Sequence, residues 1–476
     1  MISVDKVEKI YIFINLMENY LKDPVIKKSV SVSYLDGIFA QVFASLASSG
    51  SVFLTKFLLF LNGSPLHFGL YSAIGQLSQI FQIVGVILTK ELKSRKKLVV
   101  QFALWGRLLV ILLGLIPFFF SGKSAIYIFL SIFLISNIFQ TISANMWIAW
   151  ISDMIPLQIR GRFFSKRSQL LMIVGLLTGY IFSLIFDLLT KNGNSFSNNF
   201  FNLKIIPISF MFLFIFTFAA FMGIVGIIVL QKQPEKEKEI EKESIRDFLA
   251  EPFKDKNFIR FLIYNVWWMV ALGVGSPFWQ PFMLKNLKMS LFEVQIYGTI
   301  STISALYFLK PWGLFIDRFG NKTAMRFAIV LGFINPFVWV FATEKIKWII
   351  YFEAFTSGMM WSGANIVATN FVLSIAPDKK RQIYTAVQGT FSGLAMMFSM
   401  LISSFFIPKP LTFMNLNLTG EQLLFALTGL LRFTTEIPLS FVKEKTGKPT
   451  RDALLYLQQS LKVRLENLIF PLRQKK

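Results

Sequence analysis

Twelve long apolar stretches, separated by short loops, leave this 476-residue chain one fold class. A bilayer core is crossed by about 20 apolar residues per helix, and residues 205–230 alone offer 26 positions without a charge. The same pattern predicts spans near 31–54, 68–89, 98–120, 125–150, 168–190, 205–230, 258–284, 291–313, 327–343, 348–375, 383–407 and 421–442. The expectation is an all-α integral membrane protein with twelve transmembrane helices in two pseudo-symmetric six-helix bundles.

Orientation follows from the basic residues, because cytoplasmic loops hold an excess of Lys and Arg. With the first loop outside, the inner segments carry 37 of the 49 basic residues and the outer loops nine, all Lys, while Arg107, Lys310 and Arg432 fall inside spans. Both termini are therefore expected in the cytoplasm. The formal net charge of +23 is spread over seven short inner segments rather than gathered on one face, so it orients helices and marks no nucleic-acid surface.

The first 30 residues mix acids with Lys and hold only short apolar runs, which argues against a cleavable signal peptide. Val7, Ile10, Tyr11, Ile14, Met17 and Leu21 recur at helical spacing and predict a helix on the inner membrane surface. Leu454, Leu457, Leu461, Leu465 and Leu468 form a similar stripe in the tail, after a candidate cap at Thr450. With no cysteine in the chain, disulfides, thiolate metal sites and thiol catalysis are excluded.

Repeats occur at long range. Ser64 and Ser290 each open a span, 226 residues apart; Lys56 and Lys285 are 229 apart, as are Asp36 and Asn265; Gly85 matches Gly313, and Pro156 with Arg160 matches Pro377 with Arg381. In chain order and with slowly drifting offsets, these matches indicate duplicated halves. The domains expected are a cytoplasmic segment at 1–30, a bundle at 31–230, a Glu- and Lys-rich cytoplasmic linker at 231–257, a second bundle at 258–442 and a cytoplasmic amphipathic tail at 443–476.

Trp312, Gly313, Asp317, Arg318, Gly320 and Lys322, after the eighth span, resemble the inner-loop signature of the major facilitator superfamily of secondary transporters. Asp153, Pro156, Arg160, Gly161 and Arg162, after the fourth span, resemble its companion loop. The first-half loop departs from the pattern: Gly85 is followed by Thr89 and Lys90, and Glu91 only approximates the family's acid. The resemblance implies rocking bundles and a cytoplasmic gate formed by Asp153, Arg160, Arg162, Asp317, Arg318 and Arg381, with Asp317 meeting the start of the fifth span near Arg162. Local folding and orientation is the alternative role for these loops.

The same resemblance implies that spans 1, 4, 7 and 10 line a central cavity. On span 7, Asn265 and Trp268 share a polar face with Ser276, Trp279 and Gln280; Asn137 and Gln140 do so on span 4, and Trp361 and Asn365 fall a turn apart on span 10. Substrate binding is expected at Asn137, Gln140, Asn265, Trp268, Trp361 and Asn365, since amides orient hydroxyls and rings stack on sugar or aryl faces. Interhelical hydrogen bonding and interfacial anchoring compete with that role.

Ionisable residues inside a membrane are costly and become functional candidates. Asp36 is the candidate for ion coupling, with a structural ion pair to Arg107 as its rival. Arg432 and Glu436, four apart on span 12, are expected to pair locally; Glu353 and Asp187 are expected near water at outer ends, and Glu293 reads as a capping box with Ser290. Gly175 and Gly179, with Gly389 and Gly393, are spaced for close helix contact.

These residues predict a secondary active transporter of a small organic solute, multi-pass in the cytoplasmic membrane and monomeric among lipids. A proton or sodium gradient is the candidate driving force, and no cofactor, metal or nucleic-acid partner is expected. The absence of a Gly-rich Lys-Ser/Thr nucleotide loop argues against direct coupling to ATP. A lone histidine without cysteine argues against an enzyme. The alternative is a membrane scaffold or chaperone of the same fold that does not transport. Single cysteines replacing Lys97 or Lys380 should react with an impermeant thiol reagent only from the cytoplasm, and those replacing Lys123 or Lys345 only from outside; the reverse pattern refutes the orientation.

Overall fold

A computed structural model describes residues 20, 22–82, 84–85, 94–190, 206–235, 251–377, 381–413, 416–444, 447–456 and 458–459. The expected N-terminal surface helix, most of the linker, the Thr89–Glu91 loop and the tail stripe beyond Leu454 lie outside the described residues. The chain is divided into two compact units: Met1–Glu243 with Ser276–Ile296 and Met400–Phe405, and Ser244–Gly275 with Tyr297–Ser399 and Phe406–Lys476.

Helices occupy the apolar stretches. They are α1 (Pro24–Ala47), α2 (Val52–Phe60), α3 (Pro65–Ile80), α4 (Lys96–Phe119), α5 (Gly122–Met154), α6 (Leu157–Leu189), α7 (Ile208–Leu230), α8 (Lys256–Gly275), α9 (Trp279–Lys285), α10 (Leu291–Phe319), α11 (Asn321–Val340), α12 (Ile349–Ile375), α13 (Arg381–Phe405), α14 (Gly420–Thr434) and α15 (Glu436–Ser440). Among the described residues, nine helical stretches are long and apolar enough to cross a membrane. A short antiparallel hairpin, β1 (Leu411–Phe413) with β2 (Leu416–Leu418), pairs Leu411 with Leu418 between α13 and α14, where sequence periodicity predicts only a loop.

Helix is the solution a bilayer enforces, because backbone N–H and C=O groups in hydrocarbon must bond within their own segment. Exposed apolar side chains mark the outward faces: Ile173, Leu177, Ile181 and Leu184 on α6, and Phe210, Phe214, Phe221 and Ile228 on α7. In the first unit α4 packs on α5 and α7, and α1 on α6 and α7; in the second α11 packs on α12 and α14. Small residues allow the close approaches. A Cβ at Gly175 would lie 2.8 Å from Gln41 Nε2, and one at Gly179 would lie 2.7 Å from Gln295 Oε1. Gly389, expected to serve the same purpose, has no neighbouring atom within 4 Å of a built Cβ and provides no such contact.

Two constructions occur twice along the chain. The first span breaks after Ala47, where Gly50 adopts φ +87°, and the seventh breaks after Gly275, ahead of Pro277. The second construction ties down a helix start at the membrane's inner edge. Glu235 Oε1 accepts from the backbone N–H of Arg95 at 2.5 Å and of Lys96 at 3.0 Å, while Lys96 Nζ donates to the Gln233 carbonyl at 3.1 Å. In the other unit Glu444 accepts from Asn321 N at 2.7 Å and Lys322 N at 2.9 Å, and Lys322 Nζ donates to the carbonyls of Ser440 and Val442. An acid after the last helix of each half thus satisfies the orphan N–H groups of the third helix, and the lysine there satisfies the last helix's terminal carbonyls.

Glu444→Gln should lower stability by about 1–2 kcal/mol, the cost of a lost helix cap, read as a fall in thermal unfolding temperature of the detergent-purified protein. The exposed neighbour Lys443→Gln should leave it unchanged, and equal behaviour of the two would contradict the capping role.

Candidate functional site

The inner part of the first unit holds a buried charge cluster. Asp36 on α1 is only 4% exposed, and its Oδ2 lies 4.0 Å from Arg167 Nη2 on α6. Arg107 on α4 is the other cation acting on Asp36; its guanidinium donates to the Gly223 carbonyl on α7 and sits 5.7 Å from the Phe43 ring centroid. Gly223 and Gly226 make the room: a Cβ at either would meet Arg107 at 2.7 and 3.2 Å. Arg167 donates from Nε to the Ser33 carbonyl at 3.1 Å and lies 4.3 Å over the Trp147 ring. Two guanidiniums thus face one carboxylate. Asp36 Oδ1, the Tyr34 hydroxyl and Trp147 Nε1 are buried around them without hydrogen-bond partners.

Of the residues expected to bind substrate, Asn137 is buried on α5 and donates to the Phe133 carbonyl at 2.8 Å, while Gln140, one turn on, donates to Ser136 Oγ at 2.9 Å. In the second unit Asn265 on α8 is 2% exposed, donates to Ser392 Oγ and accepts from Gln388 Nε2 at 3.2 Å, both on α13. Trp268 is buried in that unit's core, where a Cβ on Gly332 would meet its ring at 3.2 Å, and Trp361 packs partly buried against the same core. Asn365 is exposed on α12. Periodicity cannot find Gln388 and Ser392, because their link to Asn265 spans more than 120 residues of sequence.

Several of the residues expected to form a gate are tied to neighbouring groups. Arg95 Nη1 contacts Asp153 Oδ2 at 2.6 Å, joining the start of α4 to the end of α5. Arg160 donates from Nε to the Ile155 carbonyl at 3.2 Å and from Nη2 to the Ser152 carbonyl, closing the C-terminus of α5. Arg162 and Arg167 both act electrostatically on Tyr34. In the second unit Asp317 and Arg381 are exposed, and Arg318 stacks 4.0 Å over the Tyr456 ring of the tail.

Two sequence expectations are corrected. Arg432 does not pair with Glu436: α14 ends at Thr434 and α15 restarts at Glu436, so the four-residue spacing no longer stacks the two side chains. Glu436 instead meets Arg326 at 2.7 Å. Arg432 is buried beside Gly332, whose carbonyl its Nη1 reaches at 3.3 Å. Glu353, expected near water, is 3% exposed; the Tyr297 hydroxyl donates to its Oε2 at 2.9 Å.

The family model described as "Major Facilitator Superfamily" matches residues 37–400, and the chain belongs to that superfamily. No curated protein sequence matches it. Among solved structures, the fold is similar to that of the nucleoside transporter NupG in a point-mutant form, at 14% identity and TM-score 0.65 over 88% of this chain and 100% of that one. It is also similar to a D-xylose-proton symporter, at 15% identity and TM-score 0.63 over 89% and 99%, and to the inward-open xylose transporter XylE from E. coli, at 16% identity and TM-score 0.58 over 90% and 99%. The chain is a multi-pass membrane protein of that transporter type.

Asp36→Asn strands two guanidiniums in the first unit's interior and should cost about 3–5 kcal/mol of stability. Adding Arg167→Gln should recover part of that loss in denaturant unfolding of the purified protein, because one unpaired charge leaves with it. Strictly additive losses would show that Asp36 and Arg167 do not interact.

Proposed function

Because the chain belongs to this superfamily, we propose that it carries a small organic solute across the cytoplasmic membrane by alternating access, driven by an ion gradient. The observation that supports this most is the superfamily match over residues 37–400, together with a fold similar over nearly nine-tenths of the chain to a nucleoside transporter and a D-xylose-proton symporter. Those names belong to proteins about 15% identical to this chain, so they serve here as the first solutes to test.

The binding residues in this reading are Asn137 and Gln140 from the first unit and Asn265, Trp268, Trp361 and Asn365 from the second. Amides and indoles suit a neutral polyol or a ring-bearing solute, since amides both donate and accept and indole faces cover apolar ring surface. Asn265 enters with both amide ends already bonded, to Ser392 and Gln388; solute hydroxyls would exchange with those partners at little net cost. Asp36 as an ion-coupling carboxylate is part of the proposal and competes with a purely structural role between its two arginines. Asp153, Arg160, Arg162, Asp317, Arg318 and Arg381 form the proposed cytoplasmic gate, in which charge pairs worth roughly 0.5–3 kcal/mol bias conformers that differ by a few kcal/mol.

Purified protein in proteoliposomes, given labelled nucleosides, pentoses and hexoses under an imposed pH or sodium gradient, should accumulate at least one of them. Asn265→Ala should cut that uptake about tenfold, the scale of one lost hydrogen bond, and Asp317→Asn should reduce it with insertion intact. Retention of full uptake by both variants would remove these residues from the site and the gate, and absence of any uptake or counterflow would favour the non-transporting scaffold.

A further inference from the structure

The second unit contains a carboxyl site that the cavity and gate do not use. Glu353 lies on α12 four residues after Ile349, about 6 Å along the helix axis from its start, yet it is 3% exposed. Its carboxylate takes the Tyr297 hydroxyl from α10 at 2.9 Å, and its remaining polar partners are Trp339 from α11 and Ser357 from its own helix. Arg432 on α14 is the cation that acts on it. Among the described residues these are the titratable, charged and donating groups that face Glu353 from α10, α11, α12 and α14.

We propose that Glu353 is a reversible proton-binding site within the second unit. Its role in coupling rests on the transport reading, but its binding of a proton does not. The argument is the composition of its shell. An ionised carboxylate only accepts, and here three donors meet it: two hydroxyls and one indole N–H. A protonated carboxyl must donate one hydrogen bond, and the hydroxyls of Tyr297 and Ser357 can rotate to accept it, while the Trp339 N–H remains a donor. Both charge states are therefore satisfied by the same side chains. Asp36 is a contrast: its charged neighbours are the guanidiniums of Arg107 and Arg167, which have no acceptor to offer a neutral acid.

The ligand is a proton and not a metal ion. Hard cations need several oxygen ligands, whereas this shell supplies one carboxylate and two hydroxyls, with an indole N–H and a neighbouring arginine set against a cation. No group of three or more metal-ligating side chains occurs among the described residues. Proton uptake from water forms one O–H bond at the carboxylate and changes its charge from −1 to 0, with no electron transferred.

The consequence falls on Arg432. Its Nε is buried without a partner, and its Nη1 reaches the Gly332 carbonyl only at 3.3 Å. With Glu353 ionised, that cation is balanced inside the unit. With Glu353 protonated, Arg432 loses the carboxylate charge that acts on it, and an unbalanced buried cation is disfavoured.

The test needs no solute, so it separates this inference from the transport reading. Infrared difference spectra of the protein in liposomes, titrated between about pH 4 and about pH 9 to cover the range of perturbed carboxyls, should show a protonated-carboxyl C=O band that grows on acidification. The band should be lost in Glu353→Gln. Should that variant fail to fold, Tyr297→Phe, which keeps the acid and removes one hydrogen bond, should shift the band's frequency. Sodium added at constant pH should leave it in place. Spectra identical in wild type and Glu353→Gln, a band unmoved by Tyr297→Phe, or displacement of the band by sodium would each overturn the assignment.

Discussion

Hydrocarbon gives no shelter to an unbonded peptide group or an unbalanced charge, and the described structure is organised around that constraint. It accounts for helices wherever the chain is apolar and for the side-chain closures at their ends. Glu235 and Glu444 cover the starts of α4 and α11, and Arg160 covers the end of α5. It also accounts for where the charges go. Asp36 lies between two arginines drawn from α4 and α6, and Glu353 is surrounded by donors from three helices with Arg432 of a fourth beside them. Each unit supplies the charged neighbours of its buried carboxyl from its own residues.

The two buried carboxyls differ in what surrounds them. A carboxylate beside guanidiniums meets donors only, whereas one among hydroxyls can change charge state without losing its hydrogen bonds. The helix-start closures are a third arrangement, in which Glu235 and Glu444 accept from backbone N–H groups. Asp36 and Glu353 lie on the first and tenth spans and are not matched positions; what recurs is the pair of closures at the starts of α4 and α11.

The fold is legible in the sequence because apolar length and basic loops report directly on the bilayer. What escapes the sequence has identifiable causes. The apolar run that begins at 168 leaves Arg167 in a loop, but α6 starts at Leu157, so Arg167 lies nearly three turns inside the helix and reaches Asp36. An apolar run marks hydrocarbon thickness; the helix continues past it. Helical spacing assigns Arg432 to Glu436, and the break at Thr435 cancels that geometry. Glu353 looks wet from its position near a helix start, and only the packing of α10, α11 and α14 around it shows it dry. Asn137, Asn265 and Trp268 stand out as polar or aromatic residues in apolar helices, but Gln388 and Ser392, which bond Asn265, lie on a helix that the cavity pattern does not include.

The proposed function requires that the protein interconvert between two conformers. The chain has no native cysteine, so spin labels can be placed at will on Lys97→Cys in the first unit and Lys443→Cys in the second, both exposed in the structure. Pulsed electron–electron distance measurements in liposomes should give two interconverting distance populations whose ratio shifts with pH or with a transported solute. A single distance, unchanged by pH and by every solute tested, would contradict alternating access in this chain.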